Sequence, residues 1–151
     1  MSLIFARRVG YRIAHRILRV WWFLRRPHVS GVKCVLTCGE RLLLVRHTYG
    51  DRRWDLPGGR IKRGETPAEA ARREIREELD VQPQSWRSLG EFDVHVDYRR
   101  DRLHLFGGEL AGQTFSPDLG ELAAVTWAPR DSLPEDLTQL VRALLTHVLP
   151  R

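Results

Sequence analysis

Between Gly59 and Val81 the chain reads GRIKRGETPAEAARREIREELDV, and this stretch narrows what the sequence can fold into. Thr66-Pro67-Ala68-Glu69 is a capping box with proline at the first helical position, so a helix begins there. At about 100° per residue, Ala68, Ala71, Ile75 and Leu79 fall on one narrow apolar stripe. Glu74 and Glu78 lie one turn apart beside that stripe, with Glu77 on their far flank. Packing the stripe on a sheet holds these carboxylates, half buried and converging, at the edge of the core. Like charges so placed repel unless a cation lies between them. Hard oxygen ligands of this kind suit Mg²⁺ or Mn²⁺. Arg73 can pair with Glu77 at i,i+4 or brace a neighbouring carboxylate. The helix is expected to end near Leu79, with Asp80 in a left-handed conformation that Asp tolerates at modest cost.

An acidic pair such as Glu77-Glu78 is by itself an ordinary solvated helix face. The diagnostic feature is the whole spaced set following Leu56-Pro57-Gly58-Gly59. Its order, from Gly59 through Glu65 to Arg73-Glu74 and Glu77-Glu78, resembles the Nudix box, the signature of the Nudix hydrolases. The one departure is Asp80, where the family usually has glycine. The resemblance implies hydrolysis of a nucleoside diphosphate linked to another group. It implies metal ligation by Glu74, Glu77 and Glu78, with backbone carbonyls approaching at the Gly58-Gly59 turn, and a structural role for Glu65. A carboxylate is the expected general base. Glu74 is one candidate, and Glu121 is another because the family often draws a carboxylate from that region. As an ordinary surface acid, Glu121 would have no such role. Among the cations flanking the site in sequence (Arg46, Arg52, Arg53, Arg60, Lys62, Arg63), Arg46 at a strand end is the first candidate for phosphate contact, and Arg60 another. Tyr49, Trp54 and Tyr98 could stack a base or belong to the core.

The rest of the chain supplies a sheet. Gly31–Cys38 and Arg41–His47 are β-branched or leucine-rich runs joined at Gly39-Glu40, a hairpin pattern. Trp54–Leu56 reads as a short strand entering the glycine loop, and Trp86–Tyr98 and Arg102–Leu110 as a strand pair. Ala124–Ala128 is a further strand, and Pro134–Leu149 a closing amphipathic helix. The expected fold class is α/β, a Nudix-like mixed β-sheet sandwiched between helices (α/β/α), with an extra N-terminal amphipathic helix.

That N-terminal helix, over residues 3–26, carries the basic charge. Residues 1–27 hold seven arginines and no acid, leaving 18 Lys+Arg against 19 Asp+Glu in the remainder. The net charge of +6 is thus a property of the arm, and the body gives no electrostatic case for nucleic-acid binding. Val9, Ile13, Ile17, Val20 and Leu24 form an apolar stripe bordered by Arg8, Arg12, Arg16 and Arg19, whose charges rule out a membrane span. The division expected is an arm, residues 1–27, and a hydrolase domain, residues 28–151. The arm packs on the domain or on a second subunit, lies on an anionic membrane surface, or contacts nucleic acid. Cys34 and Cys38 share a strand face and form no CxxC motif, and the six histidines show no zinc-like spacing with them. Structural or exposed roles are expected for the histidines, and a cytoplasmic location for the protein, with the arm offering a route to peripheral membrane attachment. The expected activity is a metal-dependent pyrophosphohydrolase acting on a small nucleotide, such as a nucleoside triphosphate or nucleotide sugar. The alternatives are removal of a 5′ pyrophosphate from RNA and non-catalytic nucleotide sensing. The intact acidic set argues against the sensor.

Overall fold

A tight turn at Gly39, whose φ of 56° favours glycine, folds β1 (His28–Cys38) back onto β2 (Arg41–His47). The computed structural model describes residues 2–25, 28–96 and 99–148. Beyond the hairpin, β3 (Ser85–Val96) and β4 (Arg99–Glu109) pair antiparallel, and β5 (Leu122–Pro129) lines the far edge. The sheet order is β3-β4-β1-β2-β5, mixed because β1 and β4 run parallel from His28↔Arg100 to Thr37↔Glu109.

Alternation along the central strands assigns each side chain to one of two cores. Val32, Cys34 and Leu36 of β1, with Leu43 and Val45 of β2, face α2 (Pro67–Leu79), packing on its Ala70, Ala71, Ile75 and Leu79. Val35, Leu42 and Leu44 face the other way, onto α3 (Gln139–Val148) through Val141, Leu144 and Leu145. The helices thus cover opposite faces, as the pattern predicts. Thr66 caps α2 as expected: its hydroxyl accepts from the Glu69 N–H while the Glu69 carboxylate accepts from the Thr66 N–H at 2.8 Å. Asp80 ends the helix at φ 54°, its N–H donating to Arg76 O.

Several boundaries differ from the sequence reading: β1 starts at His28 instead of Gly31, β4 at Arg99 instead of Arg102, and β5 runs two residues earlier and one later than Ala124–Ala128. Trp54–Leu56 makes only isolated bridges, Val45↔Asp55 and Trp54↔Leu137. Trp54 also exchanges backbone bonds with Asp136 O and the Thr138 N–H, both 2.9 Å, so α3 starts at Gln139 rather than near Pro134. Tyr98 lies outside the described residues.

The arm forms α1 (Ser2–Arg25). It rests on the segment after β2: Tyr11 stacks on Tyr49 with ring centroids 5.8 Å apart, and Arg12 Nε donates to Thr48 O at 3.1 Å. Part of the expected stripe, however, faces solvent, with Ile17 65% and Val20 63% exposed and Ile13 and Trp21 also exposed, while Val9 is half-buried. No helix among the described residues is long and apolar enough to cross a membrane.

Candidate active site

β1 and β2 stay paired only near their turn, at Thr37↔Leu42 and Cys38↔Arg41. The glycine loop enters the gap they leave. Gly59 O accepts from the Val32 N–H at 2.8 Å, Pro57 O from the Cys34 N–H at 2.9 Å, and Ser30 O from the Ile61 N–H at 3.0 Å. A proline fits here because its carbonyl, not an N–H, is used. Lys33 pins the entry to the loop, donating to Asp55 Oδ2 at 2.7 Å and to Leu56 O at 3.0 Å.

The fit leaves no room for side chains at the two glycines. A Cβ on Gly58, whose φ is +146°, would lie 2.2 Å from Val32 O. A Cβ on Gly59 would lie 2.5 Å from the Glu74 carboxylate. The loop backbone is therefore pressed against α2 at Glu74, and Gly58 N–H donates to Glu78 Oε2 at 3.1 Å.

Arg73 ties the loop to the helix. Its Nε donates to Glu65 Oε1 at 2.7 Å, and one terminal nitrogen bridges Glu74 Oε1 at 2.7 Å and Glu77 Oε2 at 3.2 Å. The other reaches Arg60 O at 3.0 Å and Glu65 Oε2 at 2.9 Å. These Arg73 bonds, then the Lys62 N–H, hold the Glu65 carboxyl down at about 2. Glu65 and Arg73 thus form the brace between loop and helix, and Glu74 and Glu77 are aligned along it.

Glu78 is 0% exposed, and its Oε1 has no hydrogen-bond partner among the described residues. Burial, followed by the charge of Glu121, pushes its carboxyl well above the ordinary range, and Lys33 opposes the shift. Such a group is costly unless a cation or proton compensates it. Two residues share its pocket: ligand atoms of His47, Glu78 and Glu121 all lie within 4.8 Å of one another. His47 is 9% exposed, and burial first, then Lys33, lowers its pKa to about 4, so the ring is neutral near pH 7.

Glu121 arrives on the loop crossing the end of α2. The Ser116 and Asp118 N–H groups donate to Leu79 O and Glu78 O at 2.8 and 2.9 Å, satisfying carbonyls the helix leaves open. Thr48 then fixes the loop's end, its N–H on Glu121 O at 2.9 Å and its hydroxyl on Gly120 O at 3.1 Å. Tyr49 Oη donates to Glu121 Oε1 at 2.8 Å. Burial pushes the Glu121 carboxyl up.

The structure thus brings together Glu65, Arg73, Glu74, Glu77, Glu78, Glu121, Gly58 and Gly59. It does not bring Arg46 to them. Residue 46 shares the parity of Leu42 and Leu44, so its guanidinium lies 4.3 Å over the Trp54 ring and pairs with Asp136. Arg60 contributes its carbonyl to Arg73, and its side chain is exposed. His47, expected to be structural or exposed, faces the carboxylates; its shared parity with Leu43 and Val45 was the available signal. Tyr49 bonds Glu121 instead of standing ready for a base. Among the described residues, His47, Glu78 and Glu121 are the group close enough to hold a divalent cation, while Glu74 and Glu77 are paired to Arg73 outside it.

A family model described as the NUDIX domain matches residues 27–148. A Bacillus subtilis protein provisionally named 8-oxo-dGTP diphosphatase is 35% identical over 100 residues, covering 66% of this chain and 65% of its own length. An ADP-ribose pyrophosphatase from Mycobacterium tuberculosis is 37% identical over 62 residues, 40% of this chain and 30% of that protein. The matches span less than two thirds of these relatives. The MutT Nudix hydrolase of Burkholderia pseudomallei superposes with a TM-score of 0.73 at 24% identity, over 81% of this chain and 98% of that one, a likeness of fold.

Proposed function

The chain belongs to the Nudix hydrolase family, and on that premise we propose that it hydrolyses a diphosphate bond in a small nucleotide with Mg²⁺ or Mn²⁺ bound at α2. The observation that carries this reading is the fully buried Glu78, which has one unpartnered oxygen and a ligand atom within 4.8 Å of those of Glu121 and His47. Glu74, Glu77 and Glu78 would hold the ion, with the Gly59 carbonyl at the loop. A divalent ion there lowers the pKa of water and offsets charge on the leaving phosphate.

The protein's part is positioning. Arg73 and Glu65 fix the rotamers of Glu74 and Glu77, and Gly58 fixes Glu78 through its N–H. Glu74 and Glu121 are the carboxylates that can take the proton of the attacking water. Glu121 is anchored by Thr48 and Tyr49. Arg60 and Lys62 on the exposed rim are suited to meet phosphate oxygens.

The substrate class is a nucleoside triphosphate or a nucleotide sugar, supported by relatives named for 8-oxo-dGTP and ADP-ribose. The test is phosphate and pyrophosphate release from a panel containing dNTPs, 8-oxo-dGTP, ADP-ribose, UDP-glucose and a 5′-triphosphate RNA. Turnover that needs Mg²⁺ or Mn²⁺ and stops in EDTA supports the reading, and turnover persisting in excess chelator refutes it. Cleavage of the RNA alone would move the substrate to nucleic acid. Two free cysteines, Cys34 buried and Cys38 partly so, accord with a reducing cytoplasm.

Residues 1–27 we assign to an arm distinct from the hydrolase domain of residues 28–151. Its exposed Ile13, Ile17, Val20 and Trp21, in a segment with seven arginines and no acid, favour an anionic lipid surface. Full-length protein should co-sediment with phosphatidylglycerol vesicles at low salt, less so at high salt, and Ile17→Glu should release it. Absence of binding at low salt removes the membrane reading.

A further inference from the structure

We infer that His47 is a nitrogen ligand of the site, forming with Glu78 and Glu121 a mixed nitrogen and oxygen position for a divalent cation. The inference deepens the proposed hydrolase function and rests on it.

Strand alternation places His47 on the α2 side of β2, and the register shifts between Arg46 and His47, where β2 ends its pairing with β5. The ring is clamped by Tyr49, whose centroid lies 5.3 Å away. A buried imidazole in a finished core satisfies both ring nitrogens or turns one to solvent. Here Nδ1 is buried and has no hydrogen-bond partner among the described residues. Glu78 Oε1 is a second buried atom in the same condition.

An unprotonated imidazole nitrogen and an ionised carboxylate are both acceptors, and what they lack is supplied by a proton or a cation between them. A cation satisfies both at once. The ligand atoms of His47, Glu78 and Glu121 lie within 4.8 Å of one another. Around an ion with bonds of about 2.1 Å, neighbouring and opposite ligand atoms are about 3 to 4.2 Å apart, so a small closure of the side chains suffices. Gly58 N–H and Tyr49 Oη already hold the far sides of the two carboxylates and limit their rotation. The nitrogen also sets a preference. Imidazole favours Mn²⁺ and later transition ions over Mg²⁺ more than an all-oxygen set does.

The test uses the full-length chain with Mn²⁺ as the probe and electron spin echo modulation as the readout. Bound Mn²⁺ should show ¹⁴N modulation that changes to the ¹⁵N pattern when histidine alone is ¹⁵N-labelled. His47→Gln should abolish it and weaken Mn²⁺ binding, measured by calorimetry, about tenfold or more while changing Mg²⁺ binding less. Mn²⁺ bound without histidine nitrogen coupling, or coupling that survives in His47→Gln, overturns the assignment of His47 and leaves the hydrolase reading intact. Failure of the wild type to bind Mn²⁺ or Mg²⁺ at all overturns both. Should His47→Gln fail to fold, the labelled wild type still decides whether histidine coordinates. His104 pairs with Glu91 on the β3–β4 side, so His104→Gln is the control expected to leave the modulation unchanged.

Discussion

Adjacent glycines in the loop should respond unequally to the same added methyl, one mainly in stability and the other mainly in turnover. In Gly58→Ala the new Cβ meets backbone: Val32 O at 2.2 Å, Val32 C and Lys33 Cα at 3.0 Å, at a φ of +146°. Strand β1 cannot retreat, because Val32 is paired to His104 in the parallel ladder. The loop must move instead, loosening the bonds from Val32 N–H to Gly59 O, Cys34 N–H to Pro57 O and Gly58 N–H to Glu78. Backbone strain of about 1–3 kcal/mol, with three hydrogen bonds at about 0.5–1.5 kcal/mol each, places the loss at about 2.5–7.5 kcal/mol. That is a large share of a typical domain's stability of about 5–15 kcal/mol. In Gly59→Ala the nearest obstruction is the Glu74 carboxylate at 2.5 Å, a side chain that can swing away, and Gly59 has no positive φ. The loss is the charge-assisted Arg73–Glu74 bond plus a rotamer change, about 2–4 kcal/mol at most and less where Glu74 finds another partner. Displacing Glu74 by about an ångström should nevertheless reduce kcat about a hundredfold. Urea melts and metal-dependent turnover on the best panel substrate measure the two effects. Equal destabilisation by both variants, or a fully active Gly59→Ala, would refute the picture of a loop wedged between β1 and α2.

Three further outcomes follow from the same contacts. Glu78→Gln should keep the fold and lose several orders of magnitude in kcat. Mg²⁺ at about a hundred times its Kd should stabilise the wild type by about 2.7 kcal/mol, a gain absent from this variant and read from paired melts with and without EDTA. The Glu65 carboxyl is held near 2, below its ordinary 4.5, so its contribution is fully present above 4.5 and is lost as pH falls through about 2. Glu65→Gln should therefore flatten the stability profile between those pH values, tested by acid-range urea titrations; an unchanged profile would deny the brace. Asp80 stands at φ 54° where glycine is unstrained, so Asp80→Gly should stabilise the fold by about 0.5–1 kcal/mol without changing kcat, and a loss of stability would contradict the cap geometry.

The parts legible in the sequence were those governed by local chemistry. The capping box at Thr66 and Glu69, the left-handed stop at Asp80, and the Gly39 turn follow from residue type and spacing. Strand and helix periodicity also separated the two faces of the sheet. What escaped depends on chain crossings. Pairing of Trp54 with Asp136 and Thr138 shortens α3, and nothing within residues 134–138 announces it. Arg46 lay near the site in sequence, yet alternation turned it toward Trp54 and Asp136. The same alternation turned His47 toward Glu78, although its chemistry was legible only once the glycine loop and the residue 116–121 crossing had closed over it. The arm's Tyr11 and Arg12 contacts with Tyr49 and Thr48 likewise join segments that share no sequence pattern.

The central claim is that this set of carboxylates holds the reacting divalent ion. The most direct measurement is an anomalous difference map from crystals of the full chain grown with Mn²⁺. The account predicts a peak within coordination distance of Glu78, bounded by Glu74 and Glu77 on α2 and by Glu121 on the crossing loop, and absent from Glu78→Gln crystals under the same conditions. A well-occupied Mn²⁺ elsewhere, with Glu78 uncoordinated and the peak unchanged in the variant, would contradict it.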